Sequence, residues 1–110
     1  MQFRSFLSCS LENVLRNICI FLELIRRGYS VNIGKVDATE IDFVARKNDD
    51  VFYYQVTASM VEETTFEREI TPLKNINDNH PKTILTLDRF TLGNYDGIKV
   101  VNAVDWLLDK

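Results

Sequence analysis

The sequence predicts an α+β domain, a central mixed β-sheet flanked by helices in the order α-β-β-β-α-β-β-α. Three observations carry this prediction. Apolar residues recur at helical spacing from Leu11 to Ile25. Two strand-like runs follow one another between Thr39 and Thr57, rich in aromatic and β-branched residues. A second helical pattern, Glu62 to Ile76, then separates these runs from two further short apolar stretches.

Met1 to Cys9 has mixed character and reads as an irregular arm. Ser10 suits the N-cap of the first helix, with Glu12 in its first turn. Leu11, Val14, Leu15, Ile18, Leu22 and Ile25 form the expected inward stripe. Arg26 and Arg27 occupy the last turn and Gly28 follows as a helix stop. Tyr29 to Lys35 reads as the first strand, and Asp37-Ala38 as a turn. In the strand Glu40 to Ala45, alternation sets Ile41, Phe43 and Ala45 on one side, Glu40 and Asp42 on the other. Lys47 to Asp50 is a polar turn. In Val51 to Ala58, Tyr53, Gln55 and Thr57 share one side, and Phe52, Tyr54 and Val56 the other.

In the second helix Phe66, Ile70, Leu73 and Ile76 line one side, and Pro72 predicts a kink or break near Thr71. Asn75 to Pro81 is a loop, Thr83 to Leu87 a short strand, Phe90 to Gly97 a loop and Ile98 to Val101 the last strand. Asn102 can cap a final helix with Asp105 at its third position, and Val104, Leu107 and Leu108 pack inward.

The chain has 110 residues, which suits one domain spanning 1–110. A net charge of −3 argues against nucleic-acid binding by bulk positive charge. The charge is uneven: residues 1–36 hold five Lys or Arg against two acids, and the remainder eight against fourteen. Any basic surface therefore belongs mainly to the first helix and its surroundings. Cys9 and Cys19, if both lie on one helix, are too far apart to pair, which suits a reducing compartment and a cytoplasmic location. No CxxC or His-rich spacing suggests zinc. His80, beside Pro81, reads as a solvated loop residue. Glu12, Arg16 and Glu23 interrupt the first helix, so it does not read as a membrane span.

Asp42 lies mid-strand among apolar residues, with Gln55 on the next strand. A buried carboxylate needs a donor, a metal or solvent. Glu12 on a helix, Glu40-Ile41-Asp42 on a strand and Tyr54-Gln55-Val56-Thr57 on the next follow the layout of the PD-(D/E)XK nuclease-like superfamily, which this chain resembles. The resemblance implies a restriction-endonuclease-like fold. More closely, LENVLRNICIFLELIRRGYSVNIGK, EIDFVA, YYQV, EREITPLKNINDNHPKTILTLD and GNYDGIKVVNAVDWLL look like the C-terminal domain of an archaeal and bacterial AAA-type ATPase family. These stretches cover almost everything from Leu11 onward. No GxxxxGK[ST] nucleotide loop occurs, so only the terminal domain is matched.

The resemblance names catalytic positions, Glu12, Asp42, Gln55 and Thr57, and an oxygen set for a metal, Glu12, Asp42, Gln55 and the carbonyl of Val56. Such a site would hold Mg or Mn. Gln55 stands where the pattern has an acid, and Thr57 where it has Lys. Both departures remove charge that phosphodiester hydrolysis uses. Lys35, Arg68 and Lys74 are candidates for a displaced cation by sequence neighbourhood. Each position also has a plain structural reading: a helix-terminal acid, a polar network between Asp42 and Gln55, ordinary strand residues. Tyr53 and Tyr54 read as core packing. The expectation is therefore a non-catalytic nuclease-like module without a required cofactor. It would contact nucleic acid or a partner such as an ATPase module, with a homodimer also open and no membrane partner. The alternative is a Mg/Mn-dependent DNA endonuclease with a degenerate site.

Overall fold

The structure, a computed structural model, describes residues 11–36, 39–76 and 78–108, with side chains from 14–34, 40–76 and 78–108. The expectations for the arm 1–9, the Ser10 cap, Cys9 and the Asp37-Ala38 turn lie outside the described residues.

The described elements are α1 (Leu11–Arg26), β1 (Ser30–Val36), β2 (Thr39–Lys47) and β3 (Asp50–Thr57), then α2 (Glu63–Lys74), β4 (Lys82–Thr86), β5 (Gly93–Tyr95), β6 (Ile98–Asn102) and α3 (Ala103–Leu107). The strands form one mixed sheet in the order β1-β2-β3-β4-β6-β5. β1, β2 and β3 run antiparallel in succession. β3, β4 and β6 are parallel neighbours, and β5 closes the far edge antiparallel to β6. The α+β class with a mixed sheet and three helices is thus the observed architecture.

The sheet separates two cores. On one face Ile20 and Leu24 of α1 meet Phe43, Ala45, Tyr54, Val56 and Leu85, with Trp106 and Leu107 of α3 packed alongside. On the other, Ile70 and Leu73 of α2 meet Ile41, Val44, Tyr53, Ile84 and Val100. β3 explains the division: alternation sends Tyr53 toward α2, and Tyr54 and Val56 toward α1. Both tyrosines are buried, as core packing requires. Arg27 stacks on the Trp106 ring at 4.2 Å and donates to the Trp106 carbonyl at 2.6 Å, tying α1 to α3.

Four expectations are corrected. Leu15, Ile18, Leu22 and Ile25 are exposed, while the buried face of α1 is Ile20 and Leu24, nearly opposite on the helix. The helix is apolar on two sides, and the sheet uses the side on which Phe21 can reach Phe43, ring centroids 6.3 Å apart. α2 runs through Pro72 to Lys74 rather than breaking at Thr71. Only two helical residues follow the proline, so little of the hydrogen-bond ladder remains to be lost. The predicted loop 90–97 contains β5, joined to β6 by Asp96-Gly97, both at positive φ (54° and 88°). That is the backbone of a tight hairpin turn. In α3, Val104 and Leu108 are exposed, and Ala103, Trp106 and Leu107 face the core. The Asn102 cap is present: its side chain accepts from the Asp105 N–H at 3.1 Å.

Candidate functional site

The centre of the site is an irregularity in β2. Against β1, Asn32 pairs with Val44 but Gly34 pairs with Ile41, so three residues of β2 span two of β1. The extra residue is a β-bulge. It turns Ile41 into the α2-side core with Val44, away from Phe43 and Ala45. The regular alternation expected for Ile41, Phe43 and Ala45 is corrected accordingly.

Asp42 sits in this bulge, where the β2–β3 ladder stops at the pair Phe43–Tyr54. Side chains take over from there. The Val56 N–H donates to Asp42 Oδ2 at 2.9 Å. The Asp42 N–H donates to Gln55 Oε1 at 2.8 Å. Each residue therefore satisfies a backbone amide of the other strand. Gln55 and Val56 are buried, so amides left unpaired there would be costly.

The electrostatics bring in a residue that sequence reasoning did not single out. Burial pushes the Asp42 carboxyl upward, against the opposing effect of the Val56 N–H. Glu69 of α2 is pushed up to about 7, first by burial and then by the negative charge of Asp42. Glu69 of α2 thus senses the Asp42 carboxylate of β2 from the α2 side of the sheet. A signal for Glu69 was available: it stands three residues after Phe66 and four before Leu73, on the border of the buried stripe.

The other expected residues are placed as follows. Glu12 lies on α1, but its side chain is outside the described residues, as is that of Lys35. Thr57 is buried and its hydroxyl donates to the Ser59 carbonyl at 3.2 Å. Val56 enters the site through its N–H. Arg68 lies beside Glu69 at 3.7 Å, with most of its side chain in solvent. Lys74 pairs instead with Asp96 at 3.5 Å. His80 is exposed, with its ring edge-on to Tyr53.

The resemblance implies a Mg or Mn ion, which needs several oxygen ligands. Among the described residues no group of three His, Cys, Asp or Glu side chains is assembled. One oxygen of Asp42 and the amide oxygen of Gln55 already accept backbone hydrogen bonds. The described residues therefore do not complete a cation site. Their arrangement can clamp two strands and, beside Asp42, keep Glu69 protonated toward neutral pH. Among the described residues, no helix is long and apolar enough to cross a membrane.

No known protein family and no solved structure matches the chain. Among curated proteins, the chain is similar to an uncharacterized protein of Haemophilus influenzae, with 47% identity over 96 residues. That match takes in 87% of this chain but 23% of the relative. The chain thus spans about a quarter of the length of the curated relative it matches.

Proposed function

We propose that this chain is a nuclease-like module of restriction-endonuclease type that has given up cation chemistry and serves as a binding unit. The observation that carries this reading is the reciprocal use of Asp42 and Gln55 on each other's backbone. The oxygens that such a site would turn toward a metal hold two strands together instead. Thr57, in the lysine position of the pattern, is buried and donates to a neighbouring carbonyl, so no cation is supplied there. Hydrolysis of a phosphodiester needs positive charge at that point.

The module's partner is a protein rather than a nucleic acid. The net charge is −3, and the exposed surface carries large apolar side chains, Phe90 most of all at 89% exposure. The setting fits a domain at the end of an AAA-type ATPase. A relative about four times as long that contains this stretch supports a larger host protein.

A second reading, a metal-dependent endonuclease, is favoured by Asp42 and Glu69 together, because two partly buried acids, one of them raised by the charge of the other, gain from a shared divalent cation. One assay separates the readings. Native protein, Gln55→Glu/Thr57→Lys and Asp42→Ala are incubated with Mn²⁺ and plasmid, single-stranded or branched DNA. The binding-module reading expects no cleavage by the native chain. Metal-dependent cleavage by the native chain that is lost in Asp42→Ala would overturn it in favour of the endonuclease.

A further inference from the structure

We propose that α1 pairs with α1 of a second copy of this chain, antiparallel, to form a two-fold dimer. The inference is independent of the function of the Asp42 site. Leu15, Ile18, Leu22 and Ile25 are each about half exposed, at 51, 46, 57 and 46%. They follow one another at intervals of three, four and three residues. That is a heptad seam, with Leu15 and Leu22 at a and Ile18 and Ile25 at d. The opposite side of the helix, Ile20 and Leu24, is already committed to the sheet. α1 therefore has one apolar face packed and a second presented to solvent at the spacing that helix pairs use.

The seam is self-complementary in the antiparallel sense. Leu15 meets Ile25 of the second copy, and Ile18 meets Leu22, giving four layers across 16 helical residues. The same register brings position 12, an acid in the sequence, opposite position 26 at both ends, where Arg26 holds Glu23 of its own helix and keeps most of its side chain in solvent to share with a second carboxylate. Cys19, exposed and central, falls beside Cys19 of the second copy. A parallel pairing would put positions 12 and 26 on opposite flanks of the seam in the two copies, without this contact.

The size is adequate for a modest dimer. Four half-exposed aliphatic side chains contribute roughly 300–400 Å² of apolar surface per copy, comparable to the largest patch on a typical monomer. A standard interface buries about 800 Å² per partner, so polar flanks supply the rest. Affinity is set in the micromolar range, on the order of 1–100 μM.

The test is sedimentation of the full chain up to about 500 μM, beside Ile18→Glu/Leu22→Glu and Phe90→Ser. The native chain is expected to approach twice 12.8 kDa, and the double variant to stay monomeric with an unchanged far-ultraviolet spectrum. Phe90→Ser should dimerise like the native chain. In a Cys9→Ser background, a short bismaleimide should link Cys19 to Cys19. Glu12→Arg or Arg26→Glu alone should weaken the dimer about 2- to 10-fold, with recovery when combined. A native chain that stays monomeric throughout would overturn the proposal. So would a dimer that persists in Ile18→Glu/Leu22→Glu, one lost in Phe90→Ser, or charge reversals that do not compensate.

Discussion

Asp42 and Gln55 hold each other's strands: the N–H of Asp42 donates to the Gln55 side chain, and the Asp42 carboxylate accepts from the N–H that follows Gln55. The pair replaces a stretch of β ladder at the bulge in β2. Its members are therefore structural whatever else they do.

The first prediction follows from that exchange. Asp42→Ala leaves the Val56 N–H without its acceptor and Gln55→Ala does the same to the Asp42 N–H. Each should cost about 1–3 kcal/mol in denaturant unfolding. The double substitution should cost less than the sum, because both act on one junction. Additive losses would show that the two bonds are independent.

A second prediction concerns pH. The Glu69 carboxyl titrates near 7 in the folded chain, up from an ordinary 4.5. The folded state therefore holds this proton more tightly than the unfolded state. Raising the pH from about 4.5 to about 7 removes up to about 3 kcal/mol of stability, and above 7 the loss is complete. Glu69→Gln should flatten that slope and stabilise the chain at pH 8. Thermal melts at pH 5, 6, 7 and 8 measure both, and a native chain whose stability does not fall across this range would contradict the raised Glu69 pKa.

Asp42→Asn offers a third. It keeps an acceptor for the Val56 N–H and removes the charge that acts on Glu69. Carbon-detected NMR of the Glu69 carboxyl should then show a downward shift of its titration. An unchanged midpoint would mean that burial alone raises it.

The fourth prediction concerns the loop that carries Phe90. Asp88 accepts from the N–H groups of Met60, Phe90 and Thr91 and from the hydroxyls of Thr86 and Thr91. Burial opposes ionisation of Asp88, but these donors outweigh it and hold the carboxyl well below the usual range. Its contribution is present above the unfolded pKa near 4 and is lost as the pH falls below that. Asp88→Ala should cost about 2 kcal/mol and speed amide exchange at Met60, Phe90 and Thr91. Unchanged exchange at those amides would argue against a single anchoring residue.

Much of the fold was legible because its signals are local. Alternation in β3 separated Tyr53 from Tyr54, and the Asn102–Asp105 cap could be read from residue types alone. Two features were not. α1 is apolar on two sides, and the more regular stripe, Leu15 to Ile25, is the one left in solvent. Periodicity reports that a face is apolar, not what covers it. The face of Ile41 depends on the extra residue in β2, which strict alternation cannot anticipate. The β5–β6 hairpin did have a signal in Asp96-Gly97, a dipeptide suited to tight turns. At the site, Asp42 and Gln55 were found by chemistry, whereas Glu69 arrives from a separate helix and meets the charge of Asp42 only through tertiary packing.

The central claim is that Asp42 and Gln55 are spent on the backbone rather than offered to a cation. Its most direct test is an electron paramagnetic resonance titration of Mn²⁺ with the native chain and with Glu69→Gln at pH 7.5. The account predicts that both leave the aqueous Mn²⁺ signal intact at millimolar protein. Stoichiometric loss of that signal with the native chain, restored by Glu69→Gln, would contradict it.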